Sequence, residues 1–252
     1  MVVWTVVVLV LACPGIGWSQ IDIESRRQDG RSGLAGGIDL NLAAREGNVD
    51  LFEVGTGVSL SYRENQNTLV LVASGDLGWQ GGERFSNEVL GHLRYVRQVS
   101  DRVFGESFLQ SNYDKSRNLD FRMVGGGGLR LSLLETDGSK AWLGLTYMFE
   151  HERNEIGPGD RHPAETSVHR GSGYLSARMN ISETAHIEGT VYLQPELVNL
   201  DDLRILIDSA LKVSVTSKLS LHTSVSLRHD SDPVDSVSES DFRLETGLSL
   251  EW

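Results

Sequence analysis

A histidine and a serine two residues apart, His222 and Ser224, come nearest in this chain to the types that nucleophilic chemistry needs. A serine hydroxyl attacks when a base lies within hydrogen-bond reach and a third group orients that base. In a segment of period two both side chains share one face, here the polar face with Ser220, Ser226 and Arg228. That company argues for a histidine in a polar lining, not for a base. A second set, His151, Glu152, His162 and Glu165, has metal-ligating types, but its spacing matches no defined zinc site. His229, Asp230 and Asp232 offer cation binding or acid-protease chemistry and read as a solvated acidic loop. The run Gly125 to Gly128 is not a phosphate loop, because no Lys-Ser/Thr follows it. It lies inside a strand, where it marks a bend or space cleared for a large neighbour such as Trp142. No catalytic residue, cofactor or metal is therefore expected.

The larger constellation is one of charge. Glu53, His92, Arg94, Arg122 and Arg130 each fall on the polar face of an alternating segment. So do Glu150, Arg178, Glu188, Arg204, Asp208, Lys212, Arg228, Arg243 and Glu245. If those faces line the inside of a barrel, two readings compete. The charges pair into a salt-bridged plug, or they form a selectivity lining for small solutes. The intermixed signs favour a narrow or largely occluded lumen.

The elements that would hold these residues are strands. From residue 32 on the dominant period is two. The last segment is the clearest: Phe242, Leu244, Thr246, Leu248, Leu250 and Trp252 alternate with Arg243, Glu245, Gly247, Ser249 and Glu251. Such a run is long for a soluble sandwich strand, which has about five or six residues, and suits a strand that crosses a bilayer, which needs about nine to eleven. About twelve such segments can be traced. The third (about Thr68 to Trp79) and the fifth (about Arg102 to Tyr113) have no clear orientation, since Phe104 and Phe108 lie opposite Leu109 and Tyr113. Connections alternate between short turns and longer loops, the longest being His151 to Ser167 and His229 to Ser240. An even strand count puts both termini on one side, the periplasmic side of an outer-membrane barrel. The expected fold is all-β: an antiparallel up-and-down transmembrane barrel over 32–252, with the apolar stripes facing lipid. Tyr62, Tyr95, Tyr113, Tyr147, Phe149 and Trp252, near strand ends, would form its interfacial girdles. The competing architecture is a soluble two-sheet β-protein.

Bulk composition agrees. Charged residues are 23% and apolar residues 39%, with 27 glycines and only 5 prolines. A barrel can hide in such a composition because alternate residues face a polar interior. A net charge of −12 and the lack of a basic tract argue against a nucleic-acid partner. Residues 1–19 read as a signal peptide, with an apolar run from Val2 to Ala12, then Pro14, Gly15, Gly17 and Ser19. Residues 20–31 form a polar periplasmic lead-in. The single cysteine, Cys13, falls within the export segment, so no intramolecular disulfide forms. The expected location is the bacterial outer membrane.

Several short stretches carry a resemblance. They are Gly47-Asn48, His92-Leu93-Arg94-Tyr95, Arg122 with Gly125 to Leu131, Leu143 to Glu150, and Tyr192-Leu193-Gln194-Pro195. Together they resemble the domain-of-unknown-function 481 family, the salt-induced outer-membrane proteins, over about residues 33 to 252. The resemblance implies an outer-membrane barrel and supplies no activity. The segment Phe242, Leu244, Gly247, Leu248, Leu250 and Trp252 resembles the C-terminal assembly signal of outer-membrane proteins, which implies the barrel-assembly machinery as a partner. It ends in Trp rather than the commoner Phe. His222-Thr223-Ser224 resembles the His-x-Ser pair of outer-membrane phospholipase A, but there the pair faces lipid, and no Asn-Gly follows here. The functional expectation is a barrel that is structural or passes small solutes through a narrow charged lumen. The alternatives are an outer-membrane lipid-modifying hydrolase or protease, and a surface receptor or adhesion barrel using 151–167.

Overall fold

A computed structural model describes residues 32–45, 50–235 and 237–252. The export segment 1–19 with Cys13, the lead-in 20–31 and the Gly47-Asn48 pair lie outside the described residues. Twelve antiparallel strands follow one another: β1 (Gly33–Arg45), β2 (Leu51–Glu64), β3 (Asn67–Gln80), β4 (Glu83–Gln98), β5 (Val103–Asp114) and β6 (Leu119–Glu135). Then come β7 (Ser139–Asn154), β8 (Glu165–Asn180), β9 (Ala185–Pro195), β10 (Leu203–Ser214), β11 (Leu219–Asp230) and β12 (Ser240–Glu251). Each strand pairs with its sequence neighbours, and β12 pairs with β1, so the sheet closes into a barrel. The strands are 11 to 17 residues long, enough to span a hydrocarbon core of about 30 Å.

Closure decides which face each residue takes. Outward positions are apolar in continuous rows of register partners. Leu60, Leu71, Leu93 and Leu109 form one row. Leu143, Leu175, Val191, Ile207, Leu227 and Phe242 form another. Leu109 is 52% exposed and Leu145 62%. A soluble protein does not leave an encircling belt of this kind in water. Lipid is the solvent that removes its cost, and a closed ring leaves no unpaired strand edge in it. The two-sheet alternative is thereby excluded.

Both terminal strands start or end on the side of the short turns, which have 2 to 4 residues. The opposite rim carries the connections 155–164, 196–202 and 231–239. Two sequence expectations need correction here. The longest loops are shorter than His151 to Ser167 and His229 to Ser240, because β7 runs to Asn154, β8 starts at Glu165 and β11 ends at Asp230. Loop parity is also broken, since β5 and β6 join through only four residues, 115–118, and β3 and β4 through two. On the long-loop side β3 and β4 join through Gly81 and Gly82, with φ of 58° and 85°, a two-residue hairpin that glycine adopts without strain.

The seam between β12 and β1 runs from Gly37↔Glu251 to Asn41↔Gly247. Gly36 and Trp252 extend it with two reciprocal backbone hydrogen bonds of 3.1 Å. The Trp252 indole lies over Gly36, where a β-carbon would come within 2.7 Å of the ring. A strand-end aromatic thus fills the space that a glycine leaves open on the neighbouring strand.

Candidate functional site: the barrel lumen

All fourteen charged positions singled out in the sequence lie on the inner face of their strands. Sequence reasoning left ten further charges out of that set: Asp39, Asp76, Glu88, Glu106, Asp114, Glu152, Arg170, Asp202, Asp230 and Glu251 also line or cap the interior. The strand parity of Glu88 and Asp39 was enough to find them. Glu152 and Asp230 had been assigned to loops.

Near the long-loop rim the charges form one network. Glu150 pairs with Arg122 and accepts from Arg170 Nε at 3.1 Å and from Arg204 Nη1 at 2.6 Å. Glu152 accepts from Arg204 at 2.8 and 3.1 Å and lies 3.0 Å from Arg122 Nε. Arg170 makes a two-pronged contact with Asp202 at 2.9 and 2.7 Å. Arg204 Nε donates to Asp230 at 2.9 Å, and Arg117 stands 3.6 Å from the same carboxylate. Four arginines thus meet four carboxylates. Arg122 and Glu150 are each about 1% exposed, so this is a desolvated assembly. Such charges persist out of water only when the geometry satisfies them mutually.

Loops close over this network. Val234 is buried beneath 231–239, and only about 30 Å³ remains between Arg122, Arg204, His162 and Val237. The two loops are tied at their tips. The backbone N–H of Arg161 donates to Asp235 at 3.2 Å, and its guanidinium at 3.4 Å. These donors hold the Asp235 carboxyl below its usual range, so the contact persists at neutral pH and is released only as pH falls through that lowered value.

At mid-height the β4–β9 wall is filled by large side chains. Arg94 donates to Glu106 at 3.1 Å, and the Tyr174 hydroxyl donates to the other oxygen of Glu106 at 2.8 Å. Arg94 also sits 5.2 Å from the Phe108 ring, and Arg130 lies 4.4 Å over Trp142. Gly144, Tyr174, Tyr192, Leu206 and Arg228 are successive register partners, and the two tyrosine rings stand 5.2 Å apart. The glycine run is explained differently from the sequence expectation. A β-carbon at Gly126 would come within 2.7 Å of Phe108 and 2.9 Å of Met148. The space is cleared for those two residues, and Trp142 packs under Arg130 instead. Gly144 makes way for Tyr174, whose ring occupies the place a β-carbon would take. Substituting Gly144→Val should displace that ring, strip the Tyr174 hydrogen bond from Glu106 and cost about 1–3 kcal/mol. Urea unfolding in detergent micelles would measure it.

The opposite wall, from β10 round to β3, carries small inward residues. Ser59, Ser74, Ser224, Ser226 and Ser249 line a cavity of about 120 Å³ that reaches Gly37, Lys212 and Glu251 near the short-turn rim. The lumen is therefore lopsided, packed on one side and hollow on the other.

The other sequence candidates are placed as follows. His222 lines the hollow side, but its Nδ1 meets Ser249 Oγ at 3.0 Å, and Ser249 donates to Asp39 at 2.5 Å. With the serine proton directed at Asp39, the network assigns the imidazole proton to Nδ1. The serine, not the histidine, sits next to the acid, which is the wrong order for a nucleophile activated by an oriented base. The set His151, Glu152, His162 and Glu165 is not brought together. His151 meets Ser167 at 2.9 Å on the outer side, while Glu152 faces inward on its arginines. Among the described residues no three potential metal ligands converge. His229 pairs with Ser240 at 3.0 Å, whereas Asp230 belongs to the arginine network.

Comparison with known proteins adds the following. A family model described as "Protein of unknown function, DUF481" matches residues 38–252. No curated protein matches the sequence. Among solved structures, the NanC porin superposes with a TM-score of 0.53 at 10% identity, covering 86% of this chain and 100% of the porin. The KdgM porin in complex with disordered oligogalacturonate gives 0.46 at 13% identity, covering 86% and 99%. The translocator domain of the autotransporter NalP from Neisseria meningitidis gives 0.49 at 10% identity, covering 91% and 92%.

Proposed function

The chain belongs to the DUF481 family and folds into a closed twelve-stranded barrel similar to that of a porin, and from that premise we propose that it passes small solutes through a narrow charged lumen and performs no catalysis. The observation that carries this reading is the lopsided interior. The rim network and the β4–β9 side chains fill one side of the interior, while the β10–β3 wall leaves a cavity of about 120 Å³ lined by hydroxyls and carboxylates. A side chain-filled barrel and an open pore bracket this arrangement at eight and at sixteen or more strands. The apolar export segment 1–19 supports delivery across the inner membrane, and the β12 pattern ending in Trp252 supports handling by the barrel-assembly machinery.

Liposome swelling tests the reading. Vesicles carrying the purified protein should admit solutes of amino-acid size faster than protein-free vesicles and exclude a trisaccharide. Equal rates for the small solutes with and without protein would defeat the proposal, and so would free passage of the trisaccharide.

A further inference from the structure

The hollow side of the lumen differs from the rim network in its charge balance. Six carboxylates border the cavity: Asp39, Asp76, Glu188, Asp208, Glu245 and Glu251. The lining contributes one lysine, Lys212, which pairs with Glu251. Arg243, set beside it, takes Glu245 at 3.2 Å and Asp76 at 3.6 Å. Asp208 is differently placed. It lines the cavity, is 7% exposed, is hydrogen-bonded to Ser226 and has Arg228 as a charged neighbour, and its buried Oδ2 has no hydrogen-bond partner among the described residues. A buried carboxylate oxygen in that position is costly unless a donor comes to it.

We propose that this cavity is a binding site for small organic cations, amines with several N–H donors. Three features select that class. The excess of carboxylates repels anions and draws cations towards the short-turn mouth. The hydroxyls of Ser59, Ser224 and Ser226 accept hydrogen bonds from N–H groups spread along the wall, which a single compact ion does not use. A dehydrated divalent metal needs several oxygens converging on one point, and no such group is formed here. An extended amine instead places one ammonium against the Asp208 carboxylate and a second towards Glu188 or Glu251. Of the passage reading, the site requires only that water reach the lumen from the short-turn side, not that the lumen be open at both ends.

Isothermal titration of spermidine into the full chain in detergent micelles, at low ionic strength, tests the site. Heat-modifiable electrophoretic mobility checks that each variant is folded. One saturable site per chain is expected, with no heat from citrate. Asp208→Asn is nearly isosteric and should weaken binding at least tenfold. Ser224→Arg, which removes no contact of Asp208 and fills the cavity with a cation, should do the same. The inference is overturned if spermidine gives no saturable binding, if neither folded variant changes it, or if magnesium at equal concentration displaces it fully. Spermidine binding by a barrel that admits no solute would sink the passage reading and leave the site standing. Passage without spermidine binding would sink the site alone.

Discussion

Replacing Glu150 by glutamine should destabilise the barrel by about 3–5 kcal/mol, the cost of leaving buried charge without its partner. The residue accepts from three guanidiniums, those of Arg122, Arg170 and Arg204, and is about 1% exposed. Glutamine keeps the shape, so packing is nearly unchanged and the loss is electrostatic. Three cations then crowd one site with only Glu152, Asp202 and Asp230 to hold them. Urea titration of protein in micelles should show a large fall in midpoint with little change in slope, since the surface exposed on unfolding is the same. Removing Arg204 as well should cost less than the sum of the two single changes, because the second mutation relieves the repulsion created by the first. A Glu150→Gln protein as stable as the parent would mean that the network is not a structural plug.

The second large effect belongs to the seam. Gly247 faces Asn41 across β12 and β1, and a β-carbon there would collide with the Asn41 side chain. It would also come within 2.8 Å of the Leu40 carbonyl oxygen and 2.9 Å of His222. The carbonyl is backbone, so the clash is relieved only by parting the strands. The seam joins strands from opposite ends of the chain, so its closure carries the largest loop entropy. Gly247→Val is expected to cost about 3 kcal/mol, the upper end of the overpacking range. It should also lower the yield of heat-modifiable, closed barrel. Gly91→Val is the contrast. That glycine has nothing within 4 Å of its β-carbon position, so folding yield should be unchanged. Equal yields for the two variants would contradict the register of the seam.

The extent to which the sequence disclosed this follows from where the bilayer imposes its pattern. Where a strand crosses hydrocarbon with a polar interior, outward positions must be apolar and the alternation is plain, as from Phe242 to Leu250. β3 was obscure because Val70 and Val72 cluster with Leu90 inside, while Leu69 and Leu71 face out. Apolar residues on both faces erase the period, and with it the inward position of Asp76. β5 was obscured in the same way by Phe108, which packs inside with Val124 and Met148. The loss at the long-loop rim has a different cause. Beyond Glu150 strand pairing continues to Asn154, but past the hydrocarbon edge outward positions can be polar, as His151 and Arg153 are. The segment therefore read as loop, and Glu152 was missed. The glycine–tyrosine and glycine–phenylalanine packing was out of reach for another reason. It depends on which residues lie opposite across strands, and strand register is not written in any one segment.

These features converge on a barrel narrowed by paired charge and packed aromatics, with one hydroxyl- and carboxylate-lined cavity left, by which we propose that small solutes pass. Single-channel recording of the purified protein in a planar bilayer tests that claim most directly. The account predicts small, resolvable current steps, well below those of an open sixteen-stranded pore. Silence at every applied voltage, or a large steady conductance of the open-pore kind, would contradict it.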